Sequence, residues 1–511
     1  MATAAPAARL PRQLPFIIAN EGCERFSFYG MRNILVPFLA AGFFAALPKE
    51  ASAAASKDVF HTFVIGVYFF PLLGGFLSDR WFGKYRTILA FSLVYALGQG
   101  CLALFVDEPA GFYTGLALIA LGSGGIKPLV ATFMGDQFDQ TNKHLGKVAF
   151  DAFYWIINFG SLFASFLMPL FLKELGPRVA FGIPGILMLV ATAAFWSGRR
   201  RYVMVPQAPR DPHSFTRVAW SALTAPGALV GRGLAIAGCV LGVGALALVP
   251  ILELVPAVCL GLVVVLALGG IGTWLELERA RGTHPDAAVD GVRAVLRVLV
   301  VFALVTPFWS LFDQKASTWV LQAGDMAKPT WFAPAQMQAL NPALVLLIIP
   351  LNNLVIFPWL RARGYEPTTL RRMTLGMALA GVAWIIVGGL QLALDGGFEV
   401  TIVWQILPYL FLTSGEVLVS ATGLEFAYSQ SPHAMKGVIM SFWSLAVTIG
   451  NLWVLIANAG VRNEGVIGLI RRTGVGVTAC QMFFFAAFAF LSALAFLVYA
   501  RRYREVDHYR G

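Results

Sequence analysis

The sequence predicts an all-α polytopic membrane protein with about fourteen transmembrane helices. Three observations predict it. Hydrophobic residues make up 58% of the chain and charged residues 13%, whereas soluble domains run near half apolar and a quarter charged. Apolar runs long enough to cross a bilayer, about 20 residues each, recur along the whole chain. Lys and Arg gather mainly in alternate breaks between those runs. The first observation excludes water-soluble enzymes. The net charge of +11 does not point to nucleic acid, because the basic residues sit between apolar runs.

The first run, 14–46, follows a basic start with no apolar stretch of its own. It carries Glu21, Glu24, Arg25 and Arg32, so it reads as a retained span and not a cleaved signal. Runs at 57–78, 85–106, 111–135, 147–172 and 178–198 complete a set of six. A polar break over 198–215 then holds Arg199, Arg200, Arg201 and three prolines. Two further runs, 228–249 and 252–276, are rich in Gly, Leu and Val and hold hardly any polar residue. After a second break at 276–291 come six more runs, at 292–322, 335–360, 370–393, 401–428, 435–460 and 474–500. The predicted organisation is an N-terminal six-helix bundle (14–200), a cytoplasmic linker with two additional transmembrane helices (201–290), and a C-terminal six-helix bundle (291–502). Two sets of six related by a parallel repeat are the layout of major facilitator transporters, which hold substrate between bundles near the midplane.

Orientation follows from the positive-inside rule. Basic residues mark Arg9 and Arg12, then Arg80, Lys84 and Arg86, then Lys143 and Lys147, then the arginine cluster. The same side continues with Arg279 and Arg281, with Arg361, Arg363, Arg371 and Arg372, and with Arg501, Arg502, Arg504 and Arg510. The intervening loops are poor or balanced: Asp107 and Glu108; Lys173, Glu174 and Arg178; Asp395 and Glu399. Both termini are therefore expected in the cytoplasm. Arg462, Arg471 and Arg472 run against the rule. The five cysteines are scattered and read as buried small hydrophobes. Neither they nor the six histidines have metal-ligand spacing, so no metal site is expected.

Charges inside spans carry the functional information. Each costs about 2.5–3.5 kcal/mol at a helix centre, so four facing lipid would cost on the order of 10 kcal/mol. At about 100° per residue, Glu21, Arg25 and Arg32 share one stripe of the first span, with Tyr29 between them. Glu21 and Arg25 are spaced for an i,i+4 pair. The alternative is a permanent ion-pair staple between helices. The fourth span carries Lys127 after Gly122-Ser123-Gly124-Gly125. Those glycines read as close helix packing, since Walker spacing and a preceding strand are both missing. The second half supplies Asp313, Glu416 and Glu425, with Arg297 near the start of its first span. A cavity between halves of opposite sign would suit a zwitterion. His61 shares a face with Tyr68, and Asp313 is a candidate partner for it; the alternative is an interfacial histidine bonded to backbone or water.

These residues fall within longer motifs. Glu21-Gly22-Cys23-Glu24-Arg25-Phe26-Ser27-Phe28-Tyr29-Gly30 resembles the ExxERFxYYG signature of proton-coupled oligopeptide transporters, the POT/PTR2 family of the major facilitator superfamily. Gly74–Ile88 resembles that family's loop between spans 2 and 3, and Phe153–Leu162 its fifth-span signature. Phe308–Gln314, Gln338–Pro342, Gly415–Val417 and Thr422–Phe426 are similar to it as well. The resemblance implies a symporter that imports di- and tripeptides by alternating access in the cell (inner) membrane, with protons as coupling ion and no other cofactor. It implies proton coupling by Glu21, Glu24 and Arg25, with His61, Asp313 and Glu416 as further candidates. It implies a carboxylate site at Arg32 and Lys127, and contacts to amine and backbone from Asn158, Asn341 and Glu416. Tyr29, Tyr68, Tyr154, Trp309 and Trp443 would line side-chain pockets, and Asp79, Arg80 and Arg297 would serve gates. Same-fold carriers of nitrate, drugs or peptidomimetics are the alternative. A membrane-embedded enzyme would want a metal cluster or nucleophile constellation, and a channel would show no accumulation.

The sequence also departs from the family. Phe28 replaces the signature's first tyrosine. Asn353 stands where animal-type members have an aspartate that pairs with the arginine at the position of Arg297, leaving Glu399 or Asp395 as substitutes. The short loop at 393–401 replaces a large extracellular domain, which with the two extra helices points to a prokaryotic member near the animal-type branch.

Overall fold

The structure, a computed structural model, describes residues 10–139, 142, 145–206, 211–365, 367–430 and 435–503. Arg9, Lys143, the Lys147 side chain, Arg504 and Arg510 lie outside these. Among the described residues the chain is almost wholly helical, with one isolated bridge between Arg281 and His284. Twelve stretches among the described residues are long and apolar enough to cross a membrane. One of them, Lys49–Leu104, runs for 56 residues and covers two predicted spans. Helix Leu14–Ala41 stands outside the twelve because of its charges. With it, and with Lys49–Leu104 counted twice, the fourteen predicted helices are accounted for.

Local chemistry sets the helix ends. Pro109 and Pro177 open Pro109–Gly135 and Pro177–Ser197, where a missing N–H costs nothing. The Glu108 carboxylate accepts from Gly111 N at 2.8 Å and caps the former. The glycine run before Lys127 packs as predicted. A Cβ on Gly124 would lie 2.5 Å from the Phe70 carbonyl oxygen, and one on Gly122 2.6 Å from Tyr95 Cβ. Only hydrogen at these positions lets Pro109–Gly135 approach its neighbours so closely.

Of the six predicted spans at 292–500, three are broken rather than continuous among the described residues. The run at 292–322 is helix Asp286–Asp313, a 3₁₀ turn at Gln314–Ala316, and helix Thr318–Asp325. The run at 335–360 contains helix Leu340–Leu351, then a π turn at Asn352–Ile356. The run at 401–428 contains Ile406–Glu416, a π turn at Val417–Ala421, and Thr422–Ser429. Each break falls at a polar residue, Gln314, Asn352 or Glu416. Hydrophobic periodicity cannot show such a break, because the apolar run continues across it. Two short helices, Phe215–Thr224 and Glu464–Arg472, were not predicted, being too short to span.

The chain packs as two compact units. One comprises Met1–Ala208 with Lys315–Pro350, the other Pro209–Gln314 with Leu351–Gly511. These units cut across the three sequence segments drawn above: residues 315–350 pack with the first, between the breaks at Gln314–Ala316 and Asn352–Ile356. In the first unit a core of Phe28, Phe60, Phe63, Phe112, Phe133, Phe181 and Phe195 is fully or nearly fully buried. In the second, helices Leu229–Gly244 and Leu254–Glu276 form a hairpin whose seam is glycine against glycine, Gly231 with Gly272 and Gly242 with Gly261. Glu276 closes its base, accepting from Gly231 N at 2.9 Å and from Arg279 Nε at 2.6 Å. At the tip Glu253 takes a left-handed φ of 67° and accepts from Arg462 at 3.1 Å. That pairing occupies one of the three arginines that run against the charge rule. Arg471 and Arg472 close helix Glu464–Arg472, where the helix dipole favours cations.

Candidate substrate and proton-coupling site

Helix Leu14–Ala41 brings the densest group of charges together inside the first unit. Arg25 Nε donates to Glu21 Oε1 at 2.6 Å and lies 3.3 Å from Glu24 Oε2. Glu21 is 1% exposed and Glu24 fully buried. A guanidinium suits this position because its rigid fork stays charged and can face two carboxylates at once. Two acids around one base leave the trio with net negative charge when both are ionised, so a proton taken up by either brings it to neutrality. Two turns on, Arg32 is buried, with its guanidinium 5.2 Å from the Phe60 ring. Lys127 places its ammonium 3.4 Å from the Phe28 ring centroid and 4.9 Å from that of Tyr68. Tyr29 packs edge-on against Phe28 at 5.4 Å.

The remaining first-unit candidates sit as follows. Asn158 Nδ2 donates to the Tyr154 carbonyl at 3.0 Å, and the Tyr154 side chain is exposed. His61 Nε2 lies 3.0 Å from Ser317 Oγ, fully buried. Asn341 Oδ1 accepts from Lys315 Nζ at 2.7 Å. Asp79 and Arg80 lie exposed in a π turn, Ser78–Phe82, while the adjacent Lys84 pairs with Asp136 at 2.6 Å.

In the second unit Asp313, a candidate partner of His61, accepts from Asn451 Nδ2 at 2.8 Å. Glu416 ends helix Ile406–Glu416 at the start of a π turn, an irregularity often found where helices carry function. Trp309 and Trp443 meet at a right angle, 5.9 Å between centroids, and Phe302 packs on Trp443 at 5.2 Å. Arg297 lies over Trp274 at 5.8 Å, in the first half of Asp286–Asp313. Asn353 is exposed, and Asp395 accepts from Gln391 at 2.9 Å.

Sequence reasoning missed Ser317, Lys315 and Asn451. Ser317 and Asn451 are neutral and carry no cost that would flag them. Lys315 is a charge beside Asp313 that was visible in the sequence, and its burial is the signal that could have found it.

Comparisons with known proteins fit this architecture. Residues 85–234 and 275–464 match PTR2, the POT family. Solute carrier family 15 member 2 of Mus musculus is 33% identical over 432 residues, covering 81% of this chain and 54% of that protein. The chain thus spans about half the length of the curated relatives it matches. A crystal structure of a POT family peptide transporter, described as auto-inhibited, is 64% identical with a TM-score of 0.96, covering 98% of this chain and 99% of that one. The POT family transporter PepTSo is 61% identical with a TM-score of 0.95, covering 98% of this chain and all of that one. The fold is accordingly that of the major facilitator transporters, and the multi-pass helical architecture is that of a membrane protein. The chain belongs to the POT family.

Proposed function

We propose that the protein is a proton-coupled symporter that imports di- and tripeptides by alternating access across the cell (inner) membrane, with both termini cytoplasmic. The observation that carries the reading is the buried trio Glu21–Arg25–Glu24 on one helix that also bears Arg32. A structural ion pair needs one acid and one base, whereas here a second buried acid is available to take and release a proton. Proton binding to Glu21 or Glu24 would relax the hold on Arg25. Arg32 and Lys127 would receive the peptide carboxylate, with Asn158 and Asn341 on its backbone. Protons are the coupling ion and no other cofactor is needed; the chemistry is transport and not catalysis. The short loop and the extra hairpin favour a prokaryotic source.

The driving force suffices. One charge moving through 100 mV is worth about 2.3 kcal/mol, and one pH unit about 1.4 kcal/mol. At roughly 150 mV and half a pH unit, one proton supplies about 4 kcal/mol, on the order of a thousandfold accumulation. The test is dialanine uptake into proteoliposomes under an imposed potential and pH gradient. Saturable accumulation that a protonophore collapses is expected. Accumulation of nitrate under the same gradients, with none of dialanine, would replace peptide with an anion as cargo, and flux strictly proportional to concentration would mean a channel.

A further inference from the structure

Acids and bases crowd the base of the hairpin, where helix Leu254–Glu276 gives way to Asp286–Asp313. Arg279 pairs with Glu276 at 2.6 Å. Arg281 holds Glu278 at 2.6 Å, Asp286 at 3.0 Å and Asp290 at 2.6 Å, and Arg293 also engages Glu278. Arg297, one turn beyond Arg293, is exposed and pairs with no carboxylate among the described residues. Its guanidinium lies 5.8 Å from the centre of the Trp274 ring, and that of Arg293 lies 5.7 Å from the same ring. No further charge follows Arg297 until Asp313, so Arg297 marks the level at which this span enters hydrocarbon. Trp274, two residues before Glu276 and 40% exposed, marks that level on the neighbouring helix, as tryptophans do at membrane interfaces. One turn farther from the polar base, each helix shows an exposed apolar residue: Ile271, three before Trp274, and Val300, three after Arg297.

We propose that this face, where Trp274 of the hairpin meets Arg297, binds an anionic phospholipid, its phosphate at Arg297 and its acyl chains along Ile271 and Val300. A guanidinium at the edge of hydrocarbon needs an anion, and its planar fork matches two phosphate oxygens. The indole N–H of Trp274 is a second donor at the same level. The surroundings select against a zwitterionic headgroup. Its ammonium or choline would stand among Arg293 and Arg297, and the acids that could receive it, Glu278, Asp286 and Asp290, are already held by Arg281. An uncharged glycerol headgroup brings no such cation. The site is independent of which solute the protein carries.

The test titrates dioleoyl phosphatidylglycerol and dioleoyl phosphatidylcholine onto the full chain in detergent, with bound lipid counted by native mass spectrometry. Phosphatidylglycerol should bind about tenfold more tightly. Arg297→Gln, at an exposed position where folding is spared, should remove most of that preference. Arg297→Lys keeps the charge without the fork and should retain part of it. Arg471→Gln removes an equal charge from another exposed surface and should change nothing. Glycerol phosphate, which lacks acyl chains, should not displace the bound lipid. Equal affinity for the two lipids overturns the proposal. So does a preference that survives Arg297→Gln, or one that falls as far with Arg471→Gln and so reflects net charge alone. Displacement by glycerol phosphate would mean a soluble phosphate ligand and would overturn the lipid as occupant. A second arm needs no variant: phosphatidylglycerol carrying a diazirine in its acyl chain is illuminated with the unaltered protein. Peptides containing Ile271 or Val300 should be labelled, and labelling confined to other surfaces overturns the site.

Discussion

Helix Leu14–Ala41 and the hairpin of Leu229–Gly244 and Leu254–Glu276 differ in what they bring into the bilayer. The first buries Glu21, Glu24 and Arg32 and holds Arg25 between two acids. The hairpin keeps its charges at its ends, Glu253 at the tip and Glu276 with Arg279 at the base. Its helices are held by glycine contact along their length, and it turns Val230, Ile236, Val240 and Val243 outward. Apolar length is enough to make a span, as the hairpin shows. Charge retained at a cost of several kcal/mol marks a span that does something further. The two kinds of helix should therefore fail differently when altered.

The largest difference is expected at Glu21. Glu21→Gln should reduce dialanine accumulation from on the order of a thousandfold to the equilibrium level, while counterflow of peptide continues. Equal loss from a hairpin substitution would mean that the two kinds of helix do not differ in function. A side chain at Gly272 would collide with the Gly231 carbonyl across the seam. Gly272→Leu should therefore lower stability by about 1–3 kcal/mol, read as a fall in Tm in detergent, with uptake per folded molecule unchanged. Asn451→Ala removes a buried bond to a carboxylate at Asp313. It should cost about 1.5–3 kcal/mol by the same measurement.

The smallest effect concerns the loops that lead into Phe215–Thr224 and Asp286–Asp313. There His213 Nδ1 and His284 Nδ1 lie 2.9 Å apart, and His284 Nε2 lies 2.8 Å from Ser221 Oγ. Burial, His213 and Arg217 hold His284 below the ordinary imidazole value. The folded protein therefore favours the neutral ring, while the unfolded chain takes a proton near about 6.5. Stability from this group is fully present above that pH and is lost as pH falls through the lower folded value. A Tm scan from about pH 7.5 down to 5 should show a small decline that His284→Asn flattens.

Much of the first helix was legible because membrane insertion penalises charge, and spacing alone pointed to the Glu21–Arg25 contact found at 2.6 Å. That Arg25 also reaches Glu24 was not legible, since neighbours in sequence diverge on a helix. The number of spans could be read from apolar length, but not the turns at Gln314, Asn352 and Glu416, which interrupt runs whose composition does not change. The partners of His61, Asn341 and Asp313 come from residues 26 to 256 positions away. No local pattern carries information over such separations.

The packing of Lys315–Pro350 with residues 1–208 limits where the polypeptide can be severed. Two pieces made from separate genes and divided anywhere in 209–290 would each be incomplete. The leading piece would lack Ser317 for His61, Gln338 for the Asn33 carbonyl and Gln336 for the Phe166 carbonyl. It should be proteolysed when made alone and rescued only when the trailing piece, carrying those three side chains, is synthesised in the same cell.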